Sequence, residues 1–212
     1  MTFSIILVGV LIILSIFNVG ENTVRRLNIS KKNLIILLLL TLVLYFVPNV
    51  RIFGITFTYV GFALPIIFTT IILLGTRHLN NFLRIAICVL LTFCLSIVYD
   101  LITFDVYEES IFQPYIALGI ILGILPLFIV KEPKKIYAAN TIGLLLSEMF
   151  FYISKYAIYG DYYMTFGSEK VFACLLISFV SSVILYGATR RIKAIIVTKR
   201  LLRKEKEIQI NV

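Results

Sequence analysis

Charge is what this chain has least of. Asp, Glu, Lys and Arg make up 15% of its 212 residues, against about 25% in soluble domains. Hydrophobic residues make up 60%, where about 45–50% is usual. A water-soluble globule of this length has no interior large enough for so much hydrocarbon, so lipid must cover part of it. Histidine is nearly absent: His78 is the sole imidazole, which excludes an HExxH site or a histidine cluster around a metal. The three cysteines, Cys88, Cys94 and Cys174, fall inside apolar runs without CxxC spacing. They fit neither a disulfide framework nor a zinc site and read as small buried hydrophobes. No metal and no cofactor is expected. The N-terminus lacks the basic start and small-residue cleavage site of a secretory signal around the apolar run 5–17. That first segment is therefore expected to stay as an uncleaved anchor.

Long apolar runs are what the chain has in plenty. A membrane-spanning helix takes about 20 mostly apolar residues, and seven segments qualify: 2–19, 31–47, 55–75, 84–104, 114–130, 136–155 and 171–189. The second begins after Ser30, an N-cap residue, and stops at Pro48-Asn49, because proline restricts the residue before it. Pro65 and Pro126 predict kinks in the third and fifth segments, where neighbouring helices can satisfy the freed carbonyls. Pro114 opens the fifth, where a missing N–H costs nothing.

The net charge of +9 would point to nucleic acid in a soluble protein. Here it reads as topology, because cytoplasmic loops collect Lys and Arg. The first link holds Arg25, Arg26, Lys31 and Lys32, the third Arg77 and Arg84, the fifth Lys131, Lys134 and Lys135. The tail adds Arg190, Arg191, Lys193, Lys199, Arg200, Arg203, Lys204 and Lys206, so seventeen of twenty basic residues share one side. Only Arg51, Lys155 and Lys170 fall opposite. The expectation is an all-α, polytopic transmembrane bundle of about seven helices, with the N-terminus outside and the C-terminus cytoplasmic. Residues 1–189 form one transmembrane domain and 190–212 a basic juxtamembrane tail. Merging the second and third segments into a re-entrant pair would leave six spans and spoil the charge split. The plasma membrane is the expected location.

Acidic residues lean the other way: Asp100, Asp105, Glu108, Glu109, Asp161 and Glu169 lie on or near the external side. The outer links are also aromatic, with Phe104, Tyr107, Phe112 and Tyr115 in one and Tyr156, Tyr159, Tyr162, Tyr163 and Phe166 in the other. They read as an interfacial aromatic belt, or as a ligand or partner surface.

Glu148 is the most informative residue, ionisable within the apolar stretch 142–153. A charge at the centre of a lone helix costs about 2.5–3.5 kcal/mol, and such groups face protein or a water-filled cavity. Asp100 lies at a comparable depth in the fourth segment, and Asn140 and Ser147 add polar atoms to the sixth. These four are the candidate intramembrane polar site, for a cation or proton, or else packing bonds alone. Gly119 and Gly123 form a GxxxG pair, and Ala139, Gly143 and Ser147 recur every four residues on the next segment. The five-residue link between them predicts a close antiparallel hairpin along that small-residue seam. In the tail, Arg190, Arg191, Lys193, Lys199, Arg200, Arg203 and Lys204 are candidates for anionic lipid headgroups at the cytoplasmic face, worth about 1 kcal/mol each near the surface. Ile192, Ile195, Ile196 and Leu202 share a helical face, which suggests an amphipathic helix lying in the interface. Nucleic acid is not expected.

Enzyme signatures are missing. Tyr99-Asp100 and Tyr159-Gly160-Asp161 approach the paired motifs of intramembrane aspartyl proteases, but Ile158 stands where glycine is needed. Glu108-Glu109 approaches the glutamate-type membrane proteases, but Gln113 stands where arginine is needed. No GxSxG, P-loop or GxGxxG occurs.

Two stretches carry a family likeness: 23–74, with "TVRRLNISKK" and "YVGFALP", and 136–185, with "IYAANTIGLLLSEMFFYI" and "GSEKVFACLLISFVSSVIL". Together they resemble an uncharacterised family of bacterial multi-pass membrane proteins, a domain of unknown function. The matching positions are Gly61, Pro65, Gly143 and Glu148, and the last outer link departs by being aromatic rather than glycine-rich. The resemblance implies membrane residence and no particular activity. The functional expectation is a structural or accessory protein that assembles with a membrane-protein partner or its own copies. The alternative is a small solute or cation transporter, or the substrate-binding subunit of an importer, using Glu148 and Asp100. An intramembrane aspartyl protease ranks third.

Overall fold

The computed structural model describes residues 2–17, 30–52, 55–76, 78–103, 115–160 and 164–210, with residues 2, 3, 31, 103, 159, 164 and 199–210 by their backbone alone. Each of the seven apolar segments forms an α-helix among the described residues: α1 (Thr2–Ile16), α2 (Lys31–Tyr45), α3 (Leu64–Leu74), α4 (Leu79–Thr103), α5 (Tyr115–Ile124), α6 (Pro133–Tyr159) and α7 (Glu169–Ile210). Three stretches, Leu79–Ile102, Pro133–Ile158 and Glu169–Thr198, are long and apolar enough to cross a membrane. The other four apolar helices run 10–17 residues. At about 1.5 Å per residue all four fall below the roughly 30 Å hydrocarbon core.

Local chemistry accounts for the helix boundaries. Ser30 caps α2, its side chain accepting from the Asn33 N–H at 3.2 Å, and α2 stops three residues before Pro48. The third segment departs from expectation. Instead of a helix from residue 55, Ile55–Phe57 forms a strand and Tyr59–Ala63 a π-helical turn that leads into α3. Pro65 sits in the first turn of α3, where its absent N–H breaks no helical bond. The expected kink at Pro65 is thus a junction between helix types, and the one at Pro126 is a 3-10 turn over Leu125–Phe128.

A purely helical fold is corrected by a small sheet. β1 (Val50–Ile52) pairs antiparallel with β2 (Ile55–Phe57), and β2 pairs parallel with β3 (Met164–Phe166) in the register Ile55–Met164, Thr56–Thr165 and Phe57–Phe166. β-Branched Val50, Ile52, Ile55 and Thr56 suit strands, and hydropathy alone does not separate a short apolar strand from the start of a helix.

The sheet marks one end of the bundle, and the helices alternate around it. Ser4 near the start of α1 reaches Glu169 at the start of α7, and Asp100 near the end of α4 pairs with Lys170. The Tyr115 carbonyl at the start of α5 meets Cys174. Glu148 in the later part of α6 reaches Gly167 and Ser168, just before α7. α6 is the centre of the assembly and packs on α3, α4 and α7, while α5 packs on α7 and α1 on α2. Leu118, Leu122, Leu144, Val171, Cys174 and Leu175 form one buried cluster. Ile85, Cys88, Val130, Ile136 and Ala139 form a second. α7 runs unbroken for 42 residues, about 63 Å at the helical rise. A helix lying in the membrane plane needs a turn after the last span, and none interrupts Glu169–Ile210. The tail therefore continues the axis of α7 without a break.

Candidate functional site

The four candidate polar residues do not converge on a common space. Asn140, Ser147 and Glu148 form a ladder along α6, each rung closed by its own partner, while Asp100 stands on α4. Asn140, fully buried, accepts from the Thr92 hydroxyl of α4 at 2.8 Å and donates from Nδ2 to the Leu122 carbonyl of α5 at 3.0 Å. Leu122 needs that donor because its helical partner, four residues on, is Pro126, which has no N–H. The buried amide thus repairs the bond that proline removes. Two turns further along α6, the Ser147 hydroxyl lies 2.9 Å from Ser96 Oγ of α4 and 2.7 Å from the Leu144 carbonyl.

Glu148 is next in sequence and turns toward α7. Its Oε2 accepts from the Gly167 N–H at 2.7 Å. Its Oε1 accepts from the Ser168 N–H at 3.1 Å and from the Ser168 hydroxyl. The first amides of a helix lack intrahelical partners and carry partial positive charge, so a carboxylate from another helix is a strong cap for the turn entering α7. The Gly167 peptide is held on its other side as well: the Thr58 hydroxyl donates to its carbonyl at 2.6 Å and accepts from the Gly61 N–H at 3.1 Å. Gly61 and Gly167 meet backbone to backbone, with no room for a Cβ on either, and Gly167 has φ +70°, a conformation that favours glycine. One peptide therefore ties together α6, α7 and the turn into α3. Phe57, Phe62, Phe166 and Tyr152 pack around it, with the Phe57 and Phe166 rings stacked at 5.7 Å.

Asp100 is not a partner of Glu148 in this arrangement; it forms an ion pair with Lys170. Lys170 also acts electrostatically on Glu148. The two carboxylates are thus both drawn to the start of α7 by a lysine that sequence reasoning left as a stray external charge.

The small-residue seam is corrected in its partners. A Cβ on Gly119 would lie 2.8 Å from the Ile177 Cβ, and one on Gly123 would lie 2.6 Å from the Ser178 carbonyl, so both glycines face α7. Gly143 faces α4, where a Cβ would meet the Thr92 side chain at 2.6 Å. Ala139 is buried with Ile85, Cys88 and Val130. The fifth and sixth segments meet through Asn140 rather than through close backbones, because the long helices α4 and α7 take those grooves.

Arg190, Arg191 and Lys193 are exposed on α7 beyond the packed region, with Arg190 stacked 4.8 Å over the Tyr186 ring. The side chains of Lys199, Arg200, Arg203 and Lys204 lie outside the described residues. So do Arg25, Arg26, Arg77, Asp105, Glu108, Glu109, Pro114, Asp161, Tyr162 and Tyr163. No group of three or more His, Cys, Asp or Glu suited to a metal ion occurs among the described residues.

Sequence reasoning missed Thr58, Thr92, Ser96, Gly167, Ser168 and Lys170. Only Gly167 and Ser168 carried a readable signal: Gly-Ser-Glu before an apolar run is an N-cap pattern. Comparison with protein-family models, with curated proteins and with solved structures gives no match.

Proposed function

We propose that the chain is a multi-pass protein of the plasma membrane, with its sheet end outside and its C-terminus cytoplasmic, and that it acts as a structural or accessory component assembling with membrane-protein partners. The observation that carries this reading is the bonding of Glu148. A transport site needs ionisable groups free to exchange a cation or solute, and this carboxylate already accepts three hydrogen bonds from the turn entering α7. Asn140 and Ser147 likewise serve as joints between helices. The orientation rests on charge: Arg84, Lys131, Lys134 and Lys135 cluster at the end away from the sheet, where α7 also carries Arg190, Arg191 and Lys193. At that face the three α7 residues engage anionic headgroups.

The test compares wild type with Glu148→Gln. Proteoliposomes report cation and solute flux, and cross-linking in native membranes reports stoichiometric partners. An accessory protein should keep the same partners in both forms and carry no flux above empty vesicles. Flux that Glu148→Gln abolishes in a folded protein would establish the transporter reading instead.

A further inference from the structure

We propose that Glu148 is the bolt of a proton-operated clasp at the sheet end: ionised, it locks the Gly167–Ser168 turn to α6; protonated, it releases that turn, and the junction of α3, α6 and α7 loosens. The geometry gives the reason. Both oxygens face donors, Oε2 the Gly167 N–H and Oε1 the Ser168 N–H, and Glu148 is only 9% exposed. A neutral carboxyl carries an O–H on one oxygen and loses an acceptor there. Whichever oxygen takes the proton, the amide on that oxygen is left with a neutral hydroxyl as its acceptor, far weaker than a carboxylate, with little water to replace it. The Ser168 hydroxyl, free to rotate, can accept from the new O–H, but the backbone amide has no such freedom.

The surroundings make this a switch and not only a cap. Lys170 is held by Asp100 of α4 while acting on Glu148, so it stays paired when Glu148 is neutralised. Among the described residues, the other titratable groups at this end include Glu169 and Cys174 of α7, Tyr45 of α2, which lies near Glu169, Arg51 of β1, Tyr59 of the π-helical turn, Tyr99 of α4, Tyr115 of α5, and Tyr152, Lys155 and Tyr156 of α6. Release passes to the neighbouring elements, because the Gly167 carbonyl is bound to Thr58 and β3 is paired with β2.

Hydrogen exchange on the full chain in nanodiscs tests the clasp, read on peptides covering 164–172 and 55–64 between about pH 7.5 and 3.5, a window that contains the usual carboxylate range. Corrected for the intrinsic pH dependence, wild-type protection of both peptides should fall about fivefold or more on acidification, the factor expected when a charge-assisted hydrogen bond of a buried amide becomes a neutral one. Glu148→Gln should lack the transition and resemble acidified wild type at every pH. Ser168→Ala, which keeps the carboxylate and both amides, should retain the transition with lower protection, and Asp100→Asn should retain it too. Protection in wild type that does not change with pH, or an acid transition that persists in Glu148→Gln, overturns the proposal. Should Glu148→Gln fail to fold, the wild-type and Ser168→Ala titrations still decide: a flat response in both sinks it.

Discussion

Replacing Asn140 with leucine tests the polar joint of α4, α5 and α6. The change roughly conserves volume but removes the acceptor for Thr92 and the donor to Leu122. Thr92 can turn back to the carbonyl one turn earlier in its own helix, so its share of the loss is small. The Leu122 carbonyl has no such recourse, because residue 126 is proline. An orphaned buried acceptor costs about 1–3 kcal/mol, whereas a hydrogen bond between membrane helices averages only about 0.6 kcal/mol and reaches about 1.7. The expected destabilisation is about 1–3 kcal/mol, nearly all of it from Leu122. Pro126→Ala supplies the missing helical N–H. In that background Asn140→Leu should cost about 1 kcal/mol less than in wild type, the scale of coupling between groups that share a partner. Reversible unfolding of the four proteins of this double-mutant cycle in bicelles measures the difference. A coupling within about 0.5 kcal/mol of zero would refute the idea that Asn140 repairs the bond lost at Pro126.

Three further outcomes follow from the packing. Gly123→Ala puts a Cβ 2.6 Å from the Ser178 carbonyl and should lower stability by about 1–3 kcal/mol, while Gly9→Ala, with nothing within 4 Å, should be neutral or stabilise by up to about 1 kcal/mol. Equal shifts of the two in a melting experiment would contradict the α5–α7 seam. Asp100→Asn leaves the Lys170 ammonium without its counter-charge. Because the two side chains keep 19% and 23% exposure, the loss should fall below the roughly 3–5 kcal/mol of a fully buried pair, and adding Lys170→Met should recover part of it; strictly additive losses would count against the pair. Finally, a lipid-soluble maleimide should modify exposed Cys94 in the folded protein and spare buried Cys88 and Cys174. Comparable labelling of all three would mean that the helices are packed differently.

The orientation of the clasp cannot be separated from its chemistry. If the sheet end faces the exterior, the medium there sets the proton activity that Glu148 meets. If it faces the cytosol, the same bolt would report internal pH. Cysteine labelling of the C-terminal residues from each side of the membrane distinguishes the two.

Much of the architecture was legible in the chain because its causes are local. Apolar runs separated by short links define seven helices, Ser30 fixes the start of α2, and the scarcity of charge requires lipid around part of the surface. Pro126 announced an irregular turn by the N–H it lacks. Which groups meet was not legible. Glu148 stood out as an ionisable residue in an apolar stretch, but its partners lie 19 and 20 residues further on, across a link. Asp100 and Lys170 are 70 positions apart. The glycines signalled close approach without naming the helix that approaches, and the strands of the small sheet looked like the beginning of a helix. A sequence records how much each segment gains by leaving water, which depends on its own side chains. Which carboxylate caps which helix depends on how several helices share one set of grooves, and that competition is resolved only when they pack.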